Sequence, residues 1–327
     1  MRSWFLLIIT AGLACSAEAT PSGGASGASG DSTTSGSSQA SGAGGFSGAS
    51  SGSTGGGGAA VDDDASDGSQ QAREACSSFA SALCSKLETC TSFVLGVLYG
   101  DAPTCKARVM LSCLPSFGAT GTSATPAKTM ACEQSIAALA CPAFLSGELG
   151  PGCKTEPGMV PAGGPCGDDA QCATTFCARA PDATCGVCQT PTQAGQPCVR
   201  GSCSAGTVCP AGQSTCITPT AGKVGDACTA QEQCDLAHAV GCNTGAGKCL
   251  ALTLAAPQGT CGANSIVPTS YAVCPSSGTC SALLGGKCSG AADDDGSCSA
   301  ADSGPHCLPP ARCVTGKCTV PDPAACR

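Results

Sequence analysis

Residues 166–188 read CGDDAQCATTFCARAPDATCGVC, a stretch in which cysteines are separated mainly by small and polar residues. It shows neither the 3.6-residue period of an amphipathic helix nor the alternation of a half-buried strand. A unit with so few apolar side chains cannot build a core, so disulfides must hold its fold. Similar groups follow and predict tandem disulfide-rich modules over residues 160–327. They open with GGPC, GQPC, GDAC, GTC and GSC, ending at Cys166, Cys198, Cys228, Cys261 and Cys298.

The composition places the whole chain in the same class. Its 327 residues include 31 cysteines and 46 glycines, whereas aromatic residues make up only 3%. Cysteine at this density is typical of an exported protein in an oxidising compartment. The net charge of −8 argues against binding to nucleic acid and against electrostatic attachment to anionic lipids.

Residues 71–153 have a different character and predict a cysteine-bearing helical domain. In CSSFASALCSKLETC, Phe79 and Leu87 recur at helical spacing with the cysteines. In TPAKTMACEQSIAALAC, Thr125 is the predicted N-cap, Pro126 the first helical residue and Pro142 the stop. The segment TCKARVMLSC predicts a third helix. We expect a small α-helical domain stapled by disulfides, followed by small modules with little regular secondary structure.

The N-terminus predicts export and an anchor. Residues 1–15 have the pattern of a signal peptide, because an apolar run too short to span a bilayer follows a single arginine. The run ends in GLAC, a lipobox-like sequence that makes Cys15 the predicted lipidation site, with cleavage after Ala19 as the alternative. Residues 16–70 are rich in Gly, Ser and Ala and predict a disordered linker. Such a spacer favours a lipid-anchored protein at the outer membrane or cell surface over a secreted one.

The number of cysteines is compatible with both lipidation and cleavage after Ala19. Lipidation of Cys15 and cleavage after Ala19 each leave an even number of cysteines for disulfides. The spacing does not define which cysteines pair. Up to residue 216, the cysteines assigned to disulfides with partners left open are Cys76, Cys84, Cys90, Cys105, Cys113, Cys132, Cys141, Cys153, Cys166, Cys172, Cys177, Cys185, Cys188, Cys198, Cys203, Cys209 and Cys216.

Candidate catalytic and metal sites are few. The CGVC segment, Cys185 to Cys188, has the spacing of a redox or zinc motif. Its flanks predict neither the strand nor the helix that a thioredoxin-like site needs, so structural disulfides are favoured. His238 and His306 are the only histidines, and their isolation favours loop positions over catalysis or zinc binding.

A partial calcium-loop pattern lies in AADDDGSCSAAD. Asp293, Asp295, Gly296 and Asp302 match the spacing of such a loop, but Ala291 occupies its first ligand position. A solvated turn is therefore favoured over a weak calcium site. We predict no catalytic residue, no cofactor and no metal.

The cysteine spacing from residue 166 to 216 resembles the N-terminal cysteine-rich domain of Dickkopf proteins. The shared rhythm comprises Cys166, Cys172, Cys177, Cys185, Cys188, Cys198, Cys203, Cys209 and Cys216, with one cysteine where the Dickkopf pattern has a doublet. The order of signal peptide, linker, helical segment and cysteine-rich modules is similar to that of myxobacterial-type surface lipoproteins. This resemblance implies extracellular display, with the lipid as the only contact with the membrane.

These features predict a non-enzymatic cell-surface or secreted protein, which we interpret as a protein-binding, adhesion or structural display lipoprotein with an unidentified protein partner. A secreted protease-inhibitor-like disulfide scaffold is the alternative, because such inhibitors also hold an exposed loop rigid. Carbohydrate binding would need aromatic stacking platforms, and the mature chain offers only Tyr99, Tyr271 and a few phenylalanines.

Overall fold

The computed structural model describes residues 63–327, apart from 149, 181, 199–201, 205–206, 211–213, 266–267 and 300–303. Helices form the first part, and short strands joined by turns form the rest. The helices are α1 Asp63–Cys90, α2 Ser92–Leu98, α3 Ala102–Phe117, α4 Pro126–Ala138 and α5 Cys141–Leu145. Within the described ranges, no helix is both long enough and apolar enough to cross a membrane.

The strands are mostly two to four residues long. They are β1 Pro165–Cys166, β2 Cys177–Ala178, β3 Gly186–Cys188, β4 Val240–Asn243, β5 Lys248–Leu254, β6 Thr260–Ala263, β7 Ser270–Val273, β8 Thr279–Cys280, β9 Gly286–Ser289, β10 Arg312–Val314 and β11 Lys317–Thr319. They form a sheet ordered β1-β3-β2, a hairpin β10-β11 and a six-stranded sheet ordered β4-β5-β7-β6-β9-β8. Many disulfides and little regular secondary structure beyond the helices were predicted, and both are present.

Helix α1 starts inside the range predicted as linker. It begins at Asp63, so residues 63–70 are helical. Gln70 donates a hydrogen bond to Glu74 at 2.8 Å, and Arg73 donates one to Ser69 at 3.2 Å. These contacts, one helical turn apart, support the helix ahead of the buried Ala75 and Cys76.

The helix ends follow local capping chemistry. Thr125 caps α4 by accepting a hydrogen bond from the amide of Lys128, with Pro126 in the first turn, as predicted. The role predicted for Pro142 was wrong: α4 already ends at Ala138, and Pro142 lies in the first turn of α5. Proline suits a first turn because the missing amide hydrogen would have no helical acceptor there.

The eight cysteines of the helical segment pair with one another. Two bonds join α1 to α3, one joins α1 to α5, and one joins α4 to the turn Pro151–Cys153. The pairs are Cys76–Cys113, Cys84–Cys105, Cys90–Cys141 and Cys132–Cys153. Around them, Phe79, Leu87, Ile136 and Phe144 form a buried core.

The cysteine-rich region consists of five modules with one pairing scheme. We define them by residues 160–190, 191–219, 220–254, 255–290 and 291–319, so that each includes the turn before its first cysteine. In each, the first cysteine pairs with the third and the second with the fourth, if Cys185 of the first module is set apart. The ten bonds are Cys166–Cys177, Cys172–Cys188, Cys198–Cys209, Cys203–Cys216, Cys228–Cys242, Cys234–Cys249, Cys261–Cys280, Cys274–Cys288, Cys298–Cys313 and Cys307–Cys318.

The repeated GGPC-like sequences correspond to one turn. The residue three positions before each first cysteine has a positive φ: Gly163, Gly195, Gly225, Gln258 and Asp295. In the first, second, third and fifth modules, the amide of that residue donates to the carbonyl of the fourth cysteine at 2.8–2.9 Å. The turn therefore ties the start of a module to its end, which explains why glycine, favoured at positive φ, recurs there.

The modules do not stand apart from the helices. Leu236, Leu252 and Val273, from the third and fourth modules, belong to the same buried cluster as the helical core. The amides of Ser276 and Ser277 donate to carbonyls of α2 at 2.9 Å and 2.6 Å. Modules too small to cover their own apolar side chains bury them against the helical domain.

The first module packs on the α3–α4 connection. Gln171 donates from Nε2 to the carbonyl of Thr120 at 3.0 Å, and the amide of Ser123 donates to Ala170 at 2.8 Å. The glutamine also accepts from the amide of Gly167 at 2.7 Å. One buried side chain therefore shapes the module and joins it to the helices.

The fifth module is joined to α3 by one arginine. Arg108 forms a bidentate ion pair with Asp294, with N–O distances of 2.6 Å and 2.8 Å. It also donates to the carbonyls of Leu308 and Pro309, each at 2.7 Å. Its side chain is only 11% exposed. Charge-assisted hydrogen bonds to a planar guanidinium fix orientation as well as distance.

The C-terminus closes the chain back on the first module. Cys326 pairs with Cys185, 141 residues earlier. Arg312 of β10 donates to the carbonyls of Ala180 and Ala183 at 2.9 Å and 3.3 Å. Burial, and secondarily the charge of Arg179, lower the pKa of Arg312.

We expect Arg108→Gln to destabilise the fold by about 2 kcal/mol, because it leaves carbonyl acceptors and a carboxylate without their donor. Guanidinium unfolding with intact disulfides measures the loss, and hydrogen exchange should rise first in residues 305–318. Lys106→Gln removes the same charge from the same helix and is the control. Equal stabilities for the two variants would contradict this role of Arg108.

Candidate functional site

The described surface carries one pair of adjacent exposed leucines. Leu283 and Leu284 are 53% and 52% exposed, and all five residues of 281–285 are on the surface. We call residues 281–285, SALLG, the leucine loop. Adjacent apolar side chains that stay in water are unusual on a small protein and point to an interaction site.

Two disulfides hold the ends of the leucine loop. It connects β8 and β9, where Cys280 lies directly opposite Cys288 in the register. Cys280 is bonded to Cys261 of β6, and Cys288 to Cys274 after β7. Both ends are therefore cross-linked to the part of the six-stranded sheet that β6 and β7 form.

Main-chain hydrogen bonds hold the middle of the loop. The amide of Ala263 donates to the carbonyl of Leu283 at 2.6 Å, and Ala263 forms a β-bridge with Leu284. The amide of Ser281 donates to Lys287 at 3.0 Å, and the amide of Lys287 donates to the Ser281 hydroxyl at 2.9 Å. The backbone is therefore fixed while both leucine side chains remain in solvent.

A glycine lies directly under the loop. Gly262 has φ +96°, and a Cβ at this position would be 2.5 Å from the carbonyl oxygen of Leu283. Such a distance forces a shift of the loop backbone. Gly262 therefore allows β6 to approach the leucine loop closely enough for the Ala263 hydrogen bond.

The leucine loop is suited to binding rather than to catalysis. Its exposed residues carry no carboxylate, imidazole or thiol, and the nearest charged side chain in sequence is Lys287. Burying two half-exposed leucines in a partner would contribute roughly 2 kcal/mol. Because the backbone is already ordered, little of that gain is offset by lost chain entropy.

The structure separates the two cysteines of the CGVC segment. Cys185 is bonded to Cys326, and Cys188 to Cys172, so they do not form the bond of a CxxC redox site. Three sulfurs of each module lie within 4.8 Å of one another, a spacing also seen in metal sites. All of them belong to disulfides, and a disulfide sulfur is not the thiolate that zinc requires.

The two histidines occupy different surroundings. The Nδ1 atom of His238 lies 2.7 Å from a carboxylate oxygen of Asp235, three residues earlier, and the imidazole side chain is 69% exposed. The carbonyl of His306 accepts from the amide of Ala292 within the fifth module. The described contacts do not bring the two histidines into one site.

Acidic residues of the calcium-loop pattern belong to the turn that precedes the first cysteine of the fifth module. Asp295 occupies the positive-φ position of the fifth module, and the amide of Gly296 donates to the carbonyl of Asp293 at 2.8 Å. Asp294 is the partner of Arg108. Asp302 lies outside the described residues. Asp294 and Asp295 therefore have structural roles in an ion pair and in a turn.

The aromatic side chains do not form a stacking platform in the described ranges. Tyr99 is 3% exposed, and burial raises its pKa far above the ordinary value. Tyr271 packs against the helical core. The large exposed apolar residues are all aliphatic, namely leucines, valines and methionines. The structure therefore gives no support for sugar binding by aromatic stacking.

No family model, curated protein or solved structure matches this chain. The predicted lipidation site, Cys15, lies outside the described residues. The leucine loop was not predicted, although its sequence, CSALLGGKC, has two consecutive leucines between two cysteines.

We expect Gly262→Ala to displace the leucine loop, because the added methyl group meets the Leu283 carbonyl. Gly285→Ala is the matched control: it also has a positive φ, +63°, but nothing within 4 Å of the added Cβ. The control should cost about 1 kcal/mol and leave the loop in place. Methyl NMR of Leu283 and Leu284 measures the displacement. Unchanged methyl chemical shifts in Gly262→Ala would contradict the close approach of Gly262 to the Leu283 carbonyl.

Proposed function

We propose that the protein is a non-enzymatic, surface-displayed lipoprotein that binds a protein partner through the leucine loop. The single observation that supports this most strongly is a fixed backbone that holds two adjacent leucines in water. The fifteen disulfides indicate an exported protein. Disulfide-held loops bind with a small entropic cost, and the absence of titratable groups from the loop favours adhesion or capture over chemistry.

We further propose that the chain is anchored through Cys15. The support is the GLAC sequence and the Gly/Ser/Ala-rich segment that follows it. Such a segment would act as a tether between the lipid and the helical domain. The helical domain, with its four internal disulfides, would then be the base on which the modules are presented. The likeness of the cysteine spacing to Dickkopf modules, and of the order of segments to myxobacterial-type surface lipoproteins, is part of this proposal.

Protease inhibition is a second candidate function, because the same loop has one feature of protease inhibitors. Such inhibitors present an exposed segment whose ends are cross-linked, so that cleavage does not release it. The leucine loop meets this requirement through Cys280 and Cys288. Its side chains would suit proteases with an apolar primary-specificity pocket.

We expect Leu283→Ser/Leu284→Ser to weaken partner binding about 10- to 100-fold, because apolar anchors contribute about 1–3 kcal/mol to an interface. The native protein, cross-linked on intact cells, identifies the partner, and interferometry with the purified partner measures affinity. Val224→Ser, which changes a 55% exposed valine of another module, is the control. Equal binding by all three proteins would exclude the leucine loop as the site.

The same proteins distinguish the two functions in an inhibition assay with chymotrypsin-like and subtilisin-like proteases. Adhesion predicts no inhibition. Stoichiometric inhibition that is lost with the two leucines would instead establish the inhibitor function.

We expect Cys15→Ala to move the protein from the membrane fraction to the medium. The intact mass of the native protein should show a lipid increment on a chain that starts at Cys15. An unmodified chain starting at Thr20 would contradict the anchor, and would leave the binding proposal unaffected.

A further inference from the structure

One disulfide stands outside the repeated scheme of the modules. Ten bonds join the first to the third and the second to the fourth cysteine of a module, over separations of 11 to 19 residues. The bond between Cys185 and Cys326 spans 141 residues and joins the first module to the C-terminal segment. It ties the C-terminal segment to the first module and is not part of the paired scheme within any module.

One of the two cysteines of this bond, Cys185, is exposed to solvent. It is the only half-cystine of the described chain in that class, since the others are buried or half-buried. Its partner Cys326 is 4% exposed. Thiol–disulfide exchange needs a thiolate to reach one sulfur in line with the bond, so access is one determinant of which disulfide reacts first.

We propose that Cys185–Cys326 is a thiol-exchange site, at which an external dithiol opens the closed chain while the five modules stay intact. A thiolate of the dithiol attacks Sγ of Cys185. The sulfur–sulfur bond to Cys326 breaks, and the Cys326 thiolate takes a proton from water. The second thiolate of the reagent then attacks the reagent's own sulfur in the mixed disulfide, so that Cys185 leaves as a thiolate and takes a proton from water. The protein disulfide is reduced to two thiols, and the dithiol is oxidised to its disulfide.

Opening this bond would free the C-terminal segment, residues 320–327. The segment lies against Gly167, where an added Cβ would be 2.4 Å from Cα of Pro323 and 3.0 Å from Sγ of Cys326. The hydrogen bonds of its turn, Asp322 to Cys326, run within the segment itself. The disulfide is therefore the covalent link between this segment and the first module, and the other contacts include packing of Pro323 against Gly167 and of its turn against α3. Release of the segment would uncover the surface around Gly167.

The fifth module would stay in place after the bond opens. Its own disulfides remain, and Arg108 still joins Asp294 to α3. Arg312 still reaches the carbonyls of Ala180 and Ala183. The expected change is a local release of the C-terminal segment, with no separation of the modules.

The test is limited reduction of the native full chain with dithiothreitol, followed by iodoacetamide labelling and peptide mass mapping. We expect Cys185 and Cys326 to be labelled at least tenfold faster than any other pair of cysteines. Hydrogen exchange on the singly reduced protein should rise in residues 320–327 and stay unchanged in β10 and β11. Earlier labelling of another pair, or simultaneous labelling of all pairs, would overturn the proposal.

Two double variants sharpen the assignment. Cys185→Ser/Cys326→Ser should lose the fast labelling step and keep the slow ones. Cys198→Ser/Cys209→Ser removes a disulfide of the second module with two half-buried cysteines and should keep the fast step at Cys185. A fast labelling step that persists in the variant without Cys185 and Cys326 would refute the site. If a variant fails to fold, the order of labelling in the unmodified chain still decides the question.

Discussion

The crossed pair of disulfides is the constraint on which each module depends. The cysteines of each module span about 20 to 30 residues. In the first, third and fourth modules, the buried cluster consists of cysteines, as with Cys166, Cys172, Cys177 and Cys188 in the first. Two bonds that interleave along the sequence fix the chain at four points, so that neither loop can open without straining the other. The positive-φ turn before the first cysteine completes this arrangement by tying the start of the module to its end.

Cross-links alone do not explain how the modules are arranged. The third and fourth modules share one sheet, because β5 and β7 pair in parallel, and they bury Leu252 and Val273 against the helices. The fifth module is oriented by the fork of Arg108, and the first by the amide of Gln171. The helical domain therefore acts as a common core. Disulfides stabilise the fold within each module. Burial of apolar side chains and a few directional polar contacts determine how the modules are placed on the helices.

The sequence predicted the parts of the fold that depend on local chemistry. Cysteine density indicated a disulfide-held protein, and Thr125 followed by Pro126 marked a helix start correctly. The link between Cys185 and Cys326 was not predictable, because a contact over 141 residues leaves no local pattern. The ion pair of Arg108 with Asp294 escaped notice for the same reason. The leucine loop was missed because two leucines in a row fit neither a helical nor a strand period, and only the structure shows that both side chains stay in solvent.

The cross-linked ends of the leucine loop determine how the two leucines would meet a partner. A leucine pair on a flexible loop would lose conformational freedom on contact and would bury itself against its own protein when free. In the fourth module, the hydrogen bond from Ala263 to Leu283 and the cross-linked ends prevent both outcomes. The six-stranded sheet under the loop includes β4 and β5 of the third module and packs against the helical core. The two leucines are therefore held on a cross-linked sheet that is itself packed on the helices. Such an attachment would keep the two side chains in the same position in the free and the bound protein, which is what tight binding through an apolar pair requires.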